Sequence, residues 1–86
     1  MKTIYDRRYR RVIDRLRCVR RERGLTQAQL AQLVGWGRTT LSKVEKCDRR
    51  IDLLEMHALA SALGLRLSDL QPLLDSKGAC NATDLA

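Results

Sequence analysis

This 86-residue chain predicts an all-α fold, a compact five-helix bundle. Three features carry that prediction. Apolar residues recur at i, i+3 and i+4 along most of the chain, the spacing of a buried helix face. Thr, Asp, Ser and Gly stand at the ends of these stripes, where helices need caps. Only five Gly and one Pro occur, and β-branched runs are absent, so there is little from which to build strands. One Trp, two Tyr and no Phe leave the core to Leu, Val, Ile and Ala.

The first helix is predicted over 6–23. Tyr9, Val12, Ile13, Leu16 and Val19 or Arg20 form its apolar stripe, arginines cover the other faces, and Gly24 closes it. The second occupies about 26–34. Thr26 is its N-cap, and Gln29, three residues on, completes a capping box. Leu30, Leu33 and Val34 define its inner face, with Ala31 beside them. Gly35 ends it in a left-handed conformation. The third helix occupies about 37–46, with Gly37 as its N-cap. Trp36 and Leu41 are spaced as a hydrophobic staple across that cap. Leu41 and Val44 face inward; Thr39, Ser42, Lys43 and Lys46 point outward, with Arg38 at the start. After a connector over 47–50, Asp52 caps the fourth helix. Glu55 completes its capping box, and Ile51 and Met56 staple it. Met56, Leu59, Ala60 and Leu63 are its buried stripe, and Gly64 ends it. Ser68 is expected to cap the fifth helix, with Gln71 in the box position and Pro72 late in the first turn. The domain is expected to span 1–75, with 76–86 a disordered tail.

Charge is lopsided. Met1 to Gly24 holds ten Lys or Arg against three Asp or Glu, while the rest holds seven of each, so the whole excess of +7 lies at the N-terminus. Such a block fits an anionic partner, nucleic acid or membrane, or else a solvated helix face. Cys18, Cys47 and Cys80 have no metal-ligand spacing, and no secretory leader or membrane-length apolar run is visible. A cytoplasmic setting without cofactor or metal is expected. His57 is the one histidine, expected at the surface, and no nucleophile–base or paired-carboxylate set stands out, so an enzyme is not expected.

Residues 25–45 read as two short helices joined by a tight turn, the second with a small, basic outer face. That shape fits the major groove of DNA. The segment resembles the lambda-repressor-like (Cro/repressor, XRE-type) helix-turn-helix family. The resemblance rests on Arg20, Gly24-Leu25-Thr26-Gln27, Leu30-Ala31, Gly35, Leu41-Ser42, Glu45, Arg49 and Ala60-Ser61-Ala62-Leu63-Gly64, and runs from Leu16 to Leu70. Cys47 stands where that family usually has Gly, and Ile51 where it often has Pro. Both departures predict a different shape for the turn after the third helix.

The N-terminal residues of a recognition helix reach base edges. This assigns base reading to Arg38, Thr39 and Lys43: Arg or Lys donates to guanine O6 and N7, and Thr touches a thymine methyl. Thr40 and Ser42 flank the groove or bond a phosphate, and Lys46, Arg49 and Arg50 are assigned to phosphates. Gln27 starts the second helix, where free N–H groups and the helix dipole favour a phosphate. The resemblance implies that Gln27 also braces the start of the recognition helix, and that Arg20 and Glu45 pair between the first and third helices. Trp36 is assigned to the core. Leu70, Leu73 and Leu74 either pack in the core or form the dimer surface that this family often places there.

The resemblance therefore implies a sequence-specific DNA-binding transcriptional regulator, a dimeric repressor of a palindromic operator in double-stranded DNA. The alternative is an antitoxin or adaptor that binds a partner protein, a toxin or co-regulator, and represses its own operon. A membrane-surface role for the first helix conflicts with the need for its apolar stripe in the core.

Overall fold

Five helices follow in order in the computed structural model, which describes residues 5–75: α1 (Arg7–Glu22), α2 (Gln27–Val34), α3 (Arg38–Glu45), α4 (Leu53–Ala62) and α5 (Leu67–Asp75). Local chemistry sets most of their ends. Asp6 caps α1 by accepting from the Arg8 backbone N–H. Thr26 and Gln29 close a reciprocal capping box on α2, and Asp52 and Glu55 close another on α4. At the far ends, the N–H groups of Leu25, Trp36 and Leu65 reach back to the carbonyls of Arg20, Ala31 and Ala60. Each return passes through a left-handed glycine, Gly24, Gly35 or Gly64.

The fifth helix departs from expectation. It begins at Leu67, so Ser68 lies inside it rather than capping it. The start is held instead by Asp69, whose carboxylate accepts from the Arg66 N–H at 2.8 Å. Gln71 is not in a capping box; it donates to Asp75. Pro72 consequently falls in the second turn, on the exposed side of a short terminal helix. The expected tail over 76–86, with Cys80, lies outside the described residues.

The core is aliphatic. Ile13, Leu30, Leu41, Val44, Leu59 and Leu63 are its most deeply buried large side chains, and Leu70 of α5 joins them. Burying each such side chain stabilises the fold by about 1.5–3 kcal/mol. Met56, Val34 and Trp36 are half-buried and pack against this cluster. Leu33 does not join the inner face of α2; it is 62% exposed. Only Leu30 and Ala31 of that eight-residue helix are fully buried, because α3 and α4 cover a narrow strip of it. The loop before α4 is tied to α1 by the Ile51 N–H, which donates to the Tyr9 hydroxyl at 3.2 Å.

Candidate nucleic-acid interface

The arrangement of α2 against α3 starts from the turn between them. Gly35 takes φ +77°, which lets the chain reverse within three residues. Gly37 then begins α3 with no side-chain cap. The first backbone N–H groups of α3 receive no side-chain acceptor from Gly37, and Gly37, Arg38 and Thr39 at that end are exposed. Leu41 and Val44 bind α3 to the core from within.

The other end of α3 is anchored by an ionic network. The Arg20 guanidinium grips the Glu45 carboxylate through two hydrogen bonds, Nε to Oε2 at 2.7 Å and Nη2 to Oε1 at 3.1 Å. Its Nη1 donates to the Leu25 carbonyl at 2.8 Å. Both side chains are nearly removed from solvent. Gln27 adds a fourth bond, Nε2 to Glu45 Oε1 at 3.0 Å. The Glu45 carboxylate thereby ties α1 and α2 to the last residue of α3, and Arg20 ties the turn before α2 to the same network. A two-point guanidinium–carboxylate pair sets orientation as well as distance, so α3 has little freedom to roll or tilt.

The expected Arg20–Glu45 pair is therefore present. Gln27, however, braces the end of α3 rather than its start. The bond to Glu45 uses one of its two amide hydrogens and leaves the other free.

Past α3 the chain turns through Cys47 at φ +61°, the one non-glycine residue with positive φ among those described. The Cys47 side chain is buried, and burial raises its thiol pKa above the usual value. A cysteine thus occupies the left-handed conformation that glycine adopts most easily. Two hydrogen bonds close the turn, from the Asp48 and Arg49 N–H groups to the Lys43 carbonyl.

Arg38, Thr39, Lys43 and Lys46 are exposed along α3 and its C-cap, and Thr40 and Ser42 are half-buried beside them. Arg50 is exposed in the following turn. Arg49 has a different place. Its Nη2 donates to Glu55 Oε2 at 3.0 Å, and its Nη1 is buried without a hydrogen-bond partner among the described residues. Glu55 is held below its usual carboxylate range by the Asp52 N–H and then by Arg49. Arg49 thus joins the turn after α3 to the cap of α4. Neither composition nor periodicity signals this pair.

Of the three leucines assigned to core or dimer surface, Leu70 is buried, Leu73 packs against the core and Leu74 is exposed. A shallow apolar groove beside them is lined by Tyr9, Val12, Leu53, Met56, Leu67 and Leu74. Leu53 and Leu54 stand 71% and 77% exposed at the start of α4. Neither belongs to the buried stripe predicted for α4, which runs through Met56, Leu59, Ala60 and Leu63.

A family model described as Helix-turn-helix matches residues 16–70. The chain belongs to this family, the XRE-type helix-turn-helix. The match begins at Leu16 and ends at Leu70, so it takes in the last two turns of α1, the Arg20–Glu45 network and the start of α5. A relative, the immunity repressor protein of Bacillus phage phi105, is 37% identical over 55 residues. That alignment covers 64% of this chain and 38% of the relative, so the chain spans well under half of that protein's length.

Proposed function

We propose that the protein is a sequence-specific DNA-binding transcriptional repressor that inserts α3 into the major groove. The observation that carries this reading is the contrast between the two faces of α3. Its inner face and last residue are locked to three other parts of the fold, while Arg38, Thr39 and Lys43 stand exposed at its outer face. Base reading needs such a preset helix, because a side chain that is misplaced by an ångström loses a bidentate base contact. The name of the phage relative supports the repressor part of the proposal.

In this reading Arg38 and Lys43 donate to guanines, and Thr39 packs on a thymine methyl. Thr40, Ser42, Lys46 and Arg50 meet phosphates. Gln27 offers its second amide hydrogen to a phosphate at the α2 N-terminus. Arg49 takes part through Glu55, by shaping the turn that presents Arg50. The protein acts as a homodimer, with its two α3 helices about 34 Å apart on a palindrome. Leu70 and Leu73 serve the core, so the dimer surface falls to Leu74 with Leu53, Leu54 and Leu67 around the groove.

Selection of bound duplexes from a random DNA pool tests the proposal, with the enriched duplex titrated at several salt concentrations. An enriched palindrome and a steep salt dependence are expected. Arg38→Ala should weaken the enriched duplex by about 1–3 kcal/mol and relax preference at one base pair. A pool that enriches nothing would overturn the proposal.

A further inference from the structure

The charge excess has no role in the recognition surface just described. It lies on α1, whose outer side carries Arg7, Arg11 and Arg15 in one row and Arg17 and Arg21 in a second. Four-residue steps place neighbouring guanidiniums of a row about 6 Å apart along the axis. The ion pairs of the described residues engage Arg8, Arg20 and Arg49, and none of these five. Asp14 and Glu22, the acidic residues of the same helix, form no ion pair with them either. Five cations are thus held side by side on one rigid helix, although like charges repel.

We propose that the outer face of α1 is a second duplex-binding surface, which grips the phosphate backbone of a DNA segment other than the one α3 reads. This rests on α3 being the reading helix. The inward stripe of α1, from Val12 to Arg20, packs on the same core as the inward face of α3. Helices that share a core turn their outer faces in different directions. Arg17 stands near Cys47, in the turn after α3, whereas Arg7, Arg11 and Arg15 lie round the helix from it. A stiff duplex seated on α3 therefore does not also lie along the Arg7–Arg11–Arg15 row; DNA bends smoothly only over many base pairs.

The chemistry of the face selects its partner. Sequence-independent duplex binding needs cations at close spacing and nothing else. A protein partner needs apolar or aromatic anchors at the centre of the contact, and between these arginines the outer face offers Asp14, Glu22 and, as its one apolar side chain, Cys18. Stable anchoring to an anionic membrane takes an apolar face as well as charge, and the apolar stripe of α1 is spent on the core. If three of the five arginines each release a counterion, this second binding step weakens by about 40-fold between 50 and 200 mM salt.

The test mixes the full chain with donor-labelled and acceptor-labelled 30-base-pair random-sequence duplexes and reads energy transfer between them. The variants are R7Q, R11Q and R15Q together, Gln being a residue of similar helix propensity, and R7Q with R11Q should the triple variant unfold by thermal melt. Wild type should bring the duplexes together at low salt. The variants should lose that signal by tenfold or more, yet keep wild-type affinity and salt slope for the duplex selected through α3. Undiminished bridging in the variants would overturn the proposal, as would no bridging by wild type. An equal loss of affinity and slope for the selected duplex would place the arginines on the same duplex and also overturn it. Competition by poly-glutamate as strong as by duplex would point to an acidic protein instead. If no duplex is ever selected, but random duplexes are bound singly and the variants abolish that binding, the reading of α3 fails while α1 stands as a phosphate-binding surface.

Discussion

The turns on either side of α3 solve one backbone problem with different residues. Before α3 the chain reverses through Gly35 at φ +77°; after it, through Cys47 at φ +61°. At Gly35 a Cβ would meet nothing within 4 Å, so the need there is purely conformational. At Cys47 the left-handed backbone carries a buried side chain, and its strain is offset by packing and by neighbouring bonds. The leading turn is a local device of one residue. The trailing turn is a tertiary device, held by Arg20–Glu45 on one side and Arg49–Glu55 on the other. Presetting α3 thus rests on local conformation at its N-terminus and on long-range ionic contacts at its C-terminus.

Breaking the long-range anchor should have the largest effect. Glu45→Ala leaves Arg20 buried without its partner and should cost about 3–5 kcal/mol, read from denaturant unfolding. An unchanged stability would mean that the network is decorative. At the leading turn, Gly35→Ala imposes the left-handed cost on a residue with a Cβ and should cost about 1–2 kcal/mol, with no loss of packed contacts. The trailing turn allows a sharper comparison. Cys47→Ala keeps the strain and loses the sulfur; Cys47→Gly loses the sulfur and the strain. The Gly variant should therefore be about 1 kcal/mol more stable than the Ala variant. Equal melting of the two would show that the backbone at this position is unstrained in solution.

The smallest effect is a pH dependence confined to one turn. Glu55 titrates below its usual 4.5 because the folded state supplies the Asp52 N–H and Arg49. A depressed carboxylate contributes stability that is present above its unfolded value and lost as pH falls through its folded value. Amide exchange over 47–53 should therefore speed up, relative to 35–37, as pH drops below about 4.5. Glu55→Gln should remove that difference. An equal acid response in both turns would remove the ionic distinction between them.

The comparison also marks how far the residues alone could be read. Both capping boxes and the glycine helix ends were legible, because each depends on residues within five positions. Leu33 was misplaced because periodicity gives a face but not its width, and neighbouring helices cover only part of α2. Ser68 was misread as a cap because Asp69 competes for the same helix start and reaches the Arg66 N–H. At Cys47 the departure from Gly was read as a new turn shape. The structure instead keeps a left-handed residue there. The surrounding bonds to Lys43 require that backbone whatever the side chain.

By itself, the sequence determined the number and order of the helices, the capping boxes of α2 and α4, and the basic, small-residue outer side of α3, since these are short-range matters of backbone sterics and periodicity. It also determined that the charge excess sits on α1. The tertiary structure alone decided which polar side chains are committed. Gln27 reaches Glu45 across 18 residues, and Ile51 donates to Tyr9 across 42. Arg49, close to Glu55 in sequence, is paired only because the turn folds back on the cap of α4. Side chains of this kind have several possible partners in an open chain, and packing of the core selects one by bringing it within hydrogen-bond distance and removing the water that would otherwise compete.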